Sequence, residues 1–491
     1  MTRLVLSWCG LTLASWAFGV STPARSAPGG RGPSAQWAPP VGIPAPSFGV
    51  SEQGGAATYF VDNSSPEATD DGNAQGSPKR PRRTVPPTLP AGSVVEVRGG
   101  PYAARQLRWT ANGAEGRPVF VRGVGSPVFT GTELRVEGAF LVVEGIVLEG
   151  MPLRIGLGHH FCVRRTEIRG YNPGHNGAAV AMAATDVVLL ENHIHHNGDS
   201  SATSEQDVHG IKPDTGSSRV WIVDNHIHHN GGDAIQVGSS RSTEPWAEHI
   251  YIGRNELHQD RENAVDVKRA RDVVISENRI YSYAPTTSSS GEAVVVHDGP
   301  ERVWLVNNEI RDAGIGVACT GATGFYVVGN VIHRIHHTPG LRYDPNSLYG
   351  PHAILVYGSS ELHAVSNTVF DVDAGISVPN GGNAVIVNNI IAGLATGSRP
   401  IVVGGKTAQG STSSPNLVGE PGTLFQDPAA GDFRLRAGAP AIDAGVVPDV
   451  YAIFKKMYGL DIARDRASTP RPQGRGFDMG ALEYLPATAA R

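Results

Sequence analysis

Residues 262 to 268 read ENAVDVK, whereas segments of the same shape elsewhere read GAAVAMA, GIGVACT and AGISVPN and carry no charge. Asp266 and Lys268, two apart on a strand, point the same way. A carboxylate beside an amine suits the removal of a weakly acidic proton next to a carboxylate, where a cation neutralises the substrate's charge and a base takes the proton. Asp233, Glu262, Asp266 and Glu292 are the carboxylates expected to hold Ca2+, an ion that takes about six to eight oxygens. Lys268, crowded by that cation and partly desolvated, is expected to have a lowered pKa and to act as the base, with His297 beside it.

The strands that must position these groups follow from alternation. In GDAIQVG, Ile235 and Val237 face inward, which turns Ala234, Gln236 and Gly238 outward. Carried through successive copies, this puts Lys212, Gln236, Asp266 and Val295 in one outward column and Asp214, Gly238, Lys268 and His297 in the next, with neighbours about 4.8 Å apart. Later copies offer Ala318 and Thr320, Leu355 and Tyr357, then Ser377 and Pro379, so the ionisable groups concentrate in four coils. His209, Asp233, Glu262, Asn263 and Glu292 stand just before these strands, where parity no longer fixes direction. A column of small residues, Gly210, Ala234, Ala264, Ala293, Gly316, Ala353 and Gly375, is expected to floor a groove. Loops 198–208, 239–248, 282–290 and 334–350 flank it. They carry Trp246, Tyr283, Tyr343 and Tyr349, aromatics suited to apolar faces of a ligand. Lys212, Gln236, Trp246 and Tyr343 are the expected substrate contacts.

A second phrase recurs as VVLLENHI, VWIVDNHI, IYIGRNEL, VVISENRI, VWLVNNEI, FYVVGNVI, LHAVSNTV and AVIVNNII. Its asparagines, 192, 225, 255, 278, 308, 330, 367 and 389, imply a minimum coil of 22 residues lengthened by loops. Several short strands per turn and a recurrent Asn at a bend predict an all-β, right-handed parallel β-helix whose Asn side chains bond from coil to coil.

Over roughly residues 90 to 405 the chain resembles the pectate-lyase-like superfamily of parallel β-helices, and GDFRLRAGAPAIDAG with FDMGALEY looks like the closing segment of secreted bacterial members. The resemblance implies a carbohydrate substrate. In the branch similar to alginate lyase and chondroitinase B, acidic and amide side chains hold Ca2+ just before a base lysine, with an arginine one coil on. Glu262, Asn263, Asp266 and Lys268 look similar to that set, and His297 stands near the arginine's place. The spacing is shorter here and the arginine is absent. The implied reaction is β-elimination on an acidic, uronic-acid polysaccharide. DVHGIKPD at 207 resembles the Asp-x-His motif of alginate epimerases, so a uronate C5-epimerase is an alternative. A glycoside hydrolase using Asp233 and Asp266 would need carboxylates closer than the roughly 11 Å their positions imply. A groove that only binds glycan is the non-catalytic alternative.

The remaining expectations concern organisation. Residues 1–27 read as a secretory signal peptide, 28–56 as a disordered Pro/Gly-rich linker, 57–410 as the β-helix and 411–491 as a closing segment packed on it. A secreted or periplasmic monomer follows, with no membrane insertion once the leader is removed. A net charge of −5 gives no bulk attraction to nucleic acid, so none is expected as partner. Cys162 and Cys319 lie several coils apart and should be free, buried thiols. NHIHHNG at 192 and 225 puts His195, His228 and His258 in one column that continues as Tyr281, Arg311 and His333, read as stacked planar side chains and not as a metal site.

Overall fold

The computed structural model describes residues 48–172, 176–241, 243–337, 350–358, 361–380, 382–404 and 410–486. The expected leader, the linker up to residue 47, and Tyr343 and Tyr349 lie outside the described residues. The chain winds as a right-handed parallel β-helix. One ladder runs through 13 strands from Tyr102–Ala104 to Leu417–Gly419, and a 23-stranded sheet supplies the other faces of each coil.

Inward positions stack in register because β-branched and aliphatic side chains fit a pleated interior. Ile194, Ile227, Leu257, Ile280, Ile310, Ile332, Val369 and Ile391 form one buried file. Ile211, Ile235, Val265, Val294, Val317, Ile354 and Ile376 form another behind the candidate site. Each such side chain contributes about 1.5–3 kcal/mol of burial.

The corner between faces is set by asparagine. Asn192, Asn225, Asn255, Asn278, Asn308, Asn330, Asn367 and Asn389 each donate from Nδ2 to Oδ1 of the next, at 2.8–3.0 Å, and the file ends at Asn416. Asn416 extends the file beyond the phrase the sequence repeats. The residue before each of the eight, from Glu191 through Asn388, has a positive φ, the sharp bend that turns the amide inward. A second, shorter file runs Asn197, Asn230, Asp260, with the Tyr283 hydroxyl donating to Asp260 at 2.9 Å.

Residues 48–56 depart from the linker expectation. Phe48 is buried edge-on against Phe140, and the Arg164 guanidinium donates to backbone carbonyls of Gly49, Val50 and Glu52, so an aromatic anchor and a buried cation hold this stretch down. At the other end, helix Val450–Tyr458 lays Phe454 edge-on to Trp304 at 4.8 Å, and Tyr458 donates to Asp272. Cys162 and Cys319 are free, buried and in separate core clusters.

Candidate functional site

Strands Ile211–Pro213, Ile235–Val237, Val265–Val267 and Glu292–Val296 present the charged face. Ile211 pairs with Ile235, Gln236 with Asp266, and Asp266 with Val295, so the outward column is the one alternation predicts. Beyond Val295 the column becomes apolar, with Ala318 and Leu355 forming a small cluster with Ile315 and Tyr357.

Asp266 is the hub. Its Oδ1 lies 2.9 Å from His297 Nε2 and its Oδ2 3.3 Å from Lys268 Nζ, with only 6% of its side chain exposed. Burial pushes the Asp266 carboxyl up, but the His297 hydrogen bond and the Lys268 charge together bring it below the usual range. Two coils back, Lys212 pairs with Asp214 at 3.2 Å. The expected lowering of the Lys268 pKa is reversed. Burial pulls it down, yet the charges of Asp266 and Asp233 outweigh burial and hold the ammonium above its ordinary value. His297 behaves alike: burial lowers it, while Asp266 and then Asp298, 3.3 Å from Nδ1, raise it. Lys268 and His297 thus flank one buried carboxylate that favours the charged form of each.

Behind this face the bend closes on a polar pocket. Asp233 is fully buried; its Oδ1 accepts the Asn263 backbone N–H and, at 2.8 Å, Nδ2, and its Oδ2 lies 3.1 Å from His209 Nδ1. The Gln236 amide approaches the same carboxylate at 3.5 Å. Glu262 stands beside Asp233 and Glu205, and burial followed by those two charges pushes its carboxyl up to about 9, so it is a neutral acid at neutral pH. Arg261 was missed by the sequence reading. Its guanidinium is fully buried and donates to Ala202 O, Glu205, Glu262, Ser288 and Thr287, tying loop 198–208 to loop 282–290 over the pocket. A cation directly before ENAVDVK was the available signal, but an arginine at a bend ordinarily faces water.

The five expected Ca2+ ligands are not brought together. Asp266 is committed to Lys268 and His297. Glu292 accepts from Ser289 Oγ and the Ser290 backbone in its own loop. Asn263 directs its amide N–H to Asp233 and its Oδ1 to Ser289. Asp233 and Glu262 do converge, with His209, and Glu205, Asp207 and Glu262 place carboxylate oxygens within 4.8 Å of one another. The latter trio offers only oxygen, the donor type a hard cation takes. Loop 198–208, which had no counterpart in the repeat, supplies two of the three.

Other expectations also change. Ala234, Ala264, Ala293 and Ala353 are wholly buried in the main core and floor no groove. Tyr283 is buried on Asp260 and not on a rim. Trp246 is covered by the guanidinium groups of Arg269 and Arg271, 5.1 and 4.9 Å from its ring centroid. Lys212 and Gln236 remain on the site face.

Residues 246–407 match the family model described as a right-handed beta helix region. No curated protein matches the chain. Among solved structures, pectate lyase Pel9A is 12% identical over 88% of this chain and 98% of that one, with a TM-score of 0.45. The PL6 family alginate lyase AlyGC is 17% identical over 81% and 56%, with a TM-score of 0.49. The GH136 lacto-N-biosidase from Eubacterium ramulus is 13% identical over 73% and 67%, with a TM-score of 0.42.

Proposed function

We propose that the chain is an exported, monomeric, polysaccharide-active enzyme that cleaves a uronic-acid glycan by β-elimination. The observation that carries this reading is the Lys268, Asp266, His297 cluster: an ammonium and an imidazole fixed by one carboxylate on the face of a sheet whose later coils present alanine, leucine and serine in the same column as that carboxylate. A uronate carboxylate laid against His297 would be neutralised there, which acidifies the C5 proton. Lys268, in its amine form, takes that proton; the C5–H electrons form the C4–C5 double bond, the C4–O bond breaks, and the leaving oxygen takes a proton from the Lys268 ammonium. The raised Lys268 pKa makes the amine a minority at neutral pH, so turnover should climb with pH. Lys212 and Gln236 would meet neighbouring sugars.

Glu205, Asp207 and Glu262 would hold Ca2+, with Glu262 giving up its proton on binding. Bound there, the ion would add positive charge beside the substrate carboxylate. The hydrolase alternative is weakened by Asp233, whose buried oxygens are both engaged and free to attack nothing. No helix among the described residues is long and apolar enough to cross a membrane.

The test is incubation with pectate, alginate and chondroitin. Rising ultraviolet absorbance from an unsaturated sugar supports elimination. New reducing ends without it mean hydrolysis, and no product from any of the three polymers counts against a lyase of this class.

A further inference from the structure

The same coils carry a second constellation on the 13-stranded ladder. NHIHHN occurs at 192–197 and 225–230, and NELHQD follows at 255–260, which gathers seven imidazoles on three adjacent strands. The stacking expected from the sequence is present: His195 on His228 at 5.1 Å and 12°, His228 on His258 at 4.9 Å and 7°, then Tyr281 and the Arg311 guanidinium. Beside it runs a second stack, His193 on His226 at 5.0 Å and 2°.

The two stacks meet edge to edge. His193 Nε2 lies 2.9 Å from His228 Nε2, and His226 Nε2 lies 2.9 Å from His258 Nε2. Nitrogens of two imidazoles on one tetrahedral ion stand about 3.3 Å apart when each bond is about 2.0–2.1 Å. Each of these two pairs therefore needs to open by only a few tenths of an ångström. Ligand atoms of His193, His226 and His228 lie within 4.8 Å of one another, and overlapping sets one coil to either side add Glu167 with His193 and His195, and Glu256 with His226 and His258.

We propose that this seam binds a transition-metal dication of the Zn2+ type, with His193, His226 and His228 as the central ligands and the carboxylates of Glu167 and Glu256 at its ends. Imidazole donors select such ions over Ca2+. The rings of His193, His226 and His228 are partly exposed, so an ion can reach them. The ion would join successive coils across the flank, on a different ladder from the charged face.

Untagged, full-length protein stripped with chelator and titrated with Zn2+ by calorimetry should take up at least one equivalent, and Zn2+-soaked crystals should show an anomalous peak between His193 and His228. Substituting His193→Asn together with His228→Asn should weaken Zn2+ binding by about tenfold or more, while His209→Asn, in the acidic pocket, leaves it unchanged. If wild-type protein takes up no Zn2+, Ni2+ or Cu2+, the proposal fails. It fails equally if the anomalous peak sits at His209 and Asp233 instead. The peak position in unmutated protein decides the matter even should the double variant not fold.

Discussion

Replacing Asp266 by asparagine keeps the side chain's shape and removes the charge that raises the pKa of both Lys268 and His297. Lys268 Nζ is 3.3 Å from that carboxylate. At this distance two unit charges interact by about 1 kcal/mol in water and about 5 kcal/mol at an effective dielectric constant of about 20. With the Lys268 side chain 20% exposed, the lower part of that span applies, and its pKa should drop by about 1 to 2 pH units, at about 1.4 kcal/mol each. His297 exchanges a charged acceptor for a neutral amide, so the burial that opposes its charge gains weight and its pKa falls. Two assays read this. In NMR, the His297 ring, assigned with a His297→Gln variant, should titrate above its ordinary 6.5 in the wild type and lower in Asp266→Asn. In kinetics, the acid limb of kcat/KM on the polymer the substrate panel identifies should move to lower pH by a similar amount. A wild-type His297 midpoint at or below 6.5, or an acid limb that does not move, refutes the electrostatic account of the cluster.

Lys268→Ala should cut turnover by about 100-fold or more; because it strips a partner from a buried carboxylate, thermal melts should also show a loss of about 1 to 3 kcal/mol. Asn278→Ala removes the acceptor of the Asn255 backbone and amide N–H groups and two donors to Asn308 and Ile252 O; with two buried donors orphaned, denaturation should register a loss of roughly 3 kcal/mol or more. The Glu262 pKa is raised on folding from 4.5 to about 9, so the folded chain keeps a proton the unfolded chain releases, and the stability this gives is full below 4.5 and lost as pH rises towards 9. Melting temperatures across that range should therefore fall less in Glu262→Gln than in wild type, and Ca2+ should raise the wild-type value but not that of Glu262→Gln.

The fold was legible because its signals are local and repeated: an inward asparagine recurs coil after coil from Asn192 onward, and alternation over even three residues places Gln236 and Asp266 in their column. Alternation fails at the bends, so Ala234 and its counterparts, assigned to the surface, lie in the core. The identity of the charged cluster was readable; its electrostatic sign was not, since the Lys268 pKa depends on how deeply Asp266 and Asp233 are buried and no spacing reports that. Arg261, Glu205 and Asp207 were overlooked because long-range contacts, 56 residues apart for Arg261 and Glu205, join loops that have no counterpart in the repeat.

The asparagine file divides the molecule into parts that tolerate change differently. Its members are separated by 33, 30, 23, 30, 22, 37, 22 and 27 residues, yet every link has nearly the same length. Insertions are thus absorbed entirely at the other corners, while the file acts as a datum line along which each new coil is indexed. A segment grafted between two asparagines need only return the chain to that line. The loops that crown the charged face can consequently diverge, lengthen or be exchanged without re-registering the strands beneath, which makes this scaffold one in which ligand preference evolves separately from the fold.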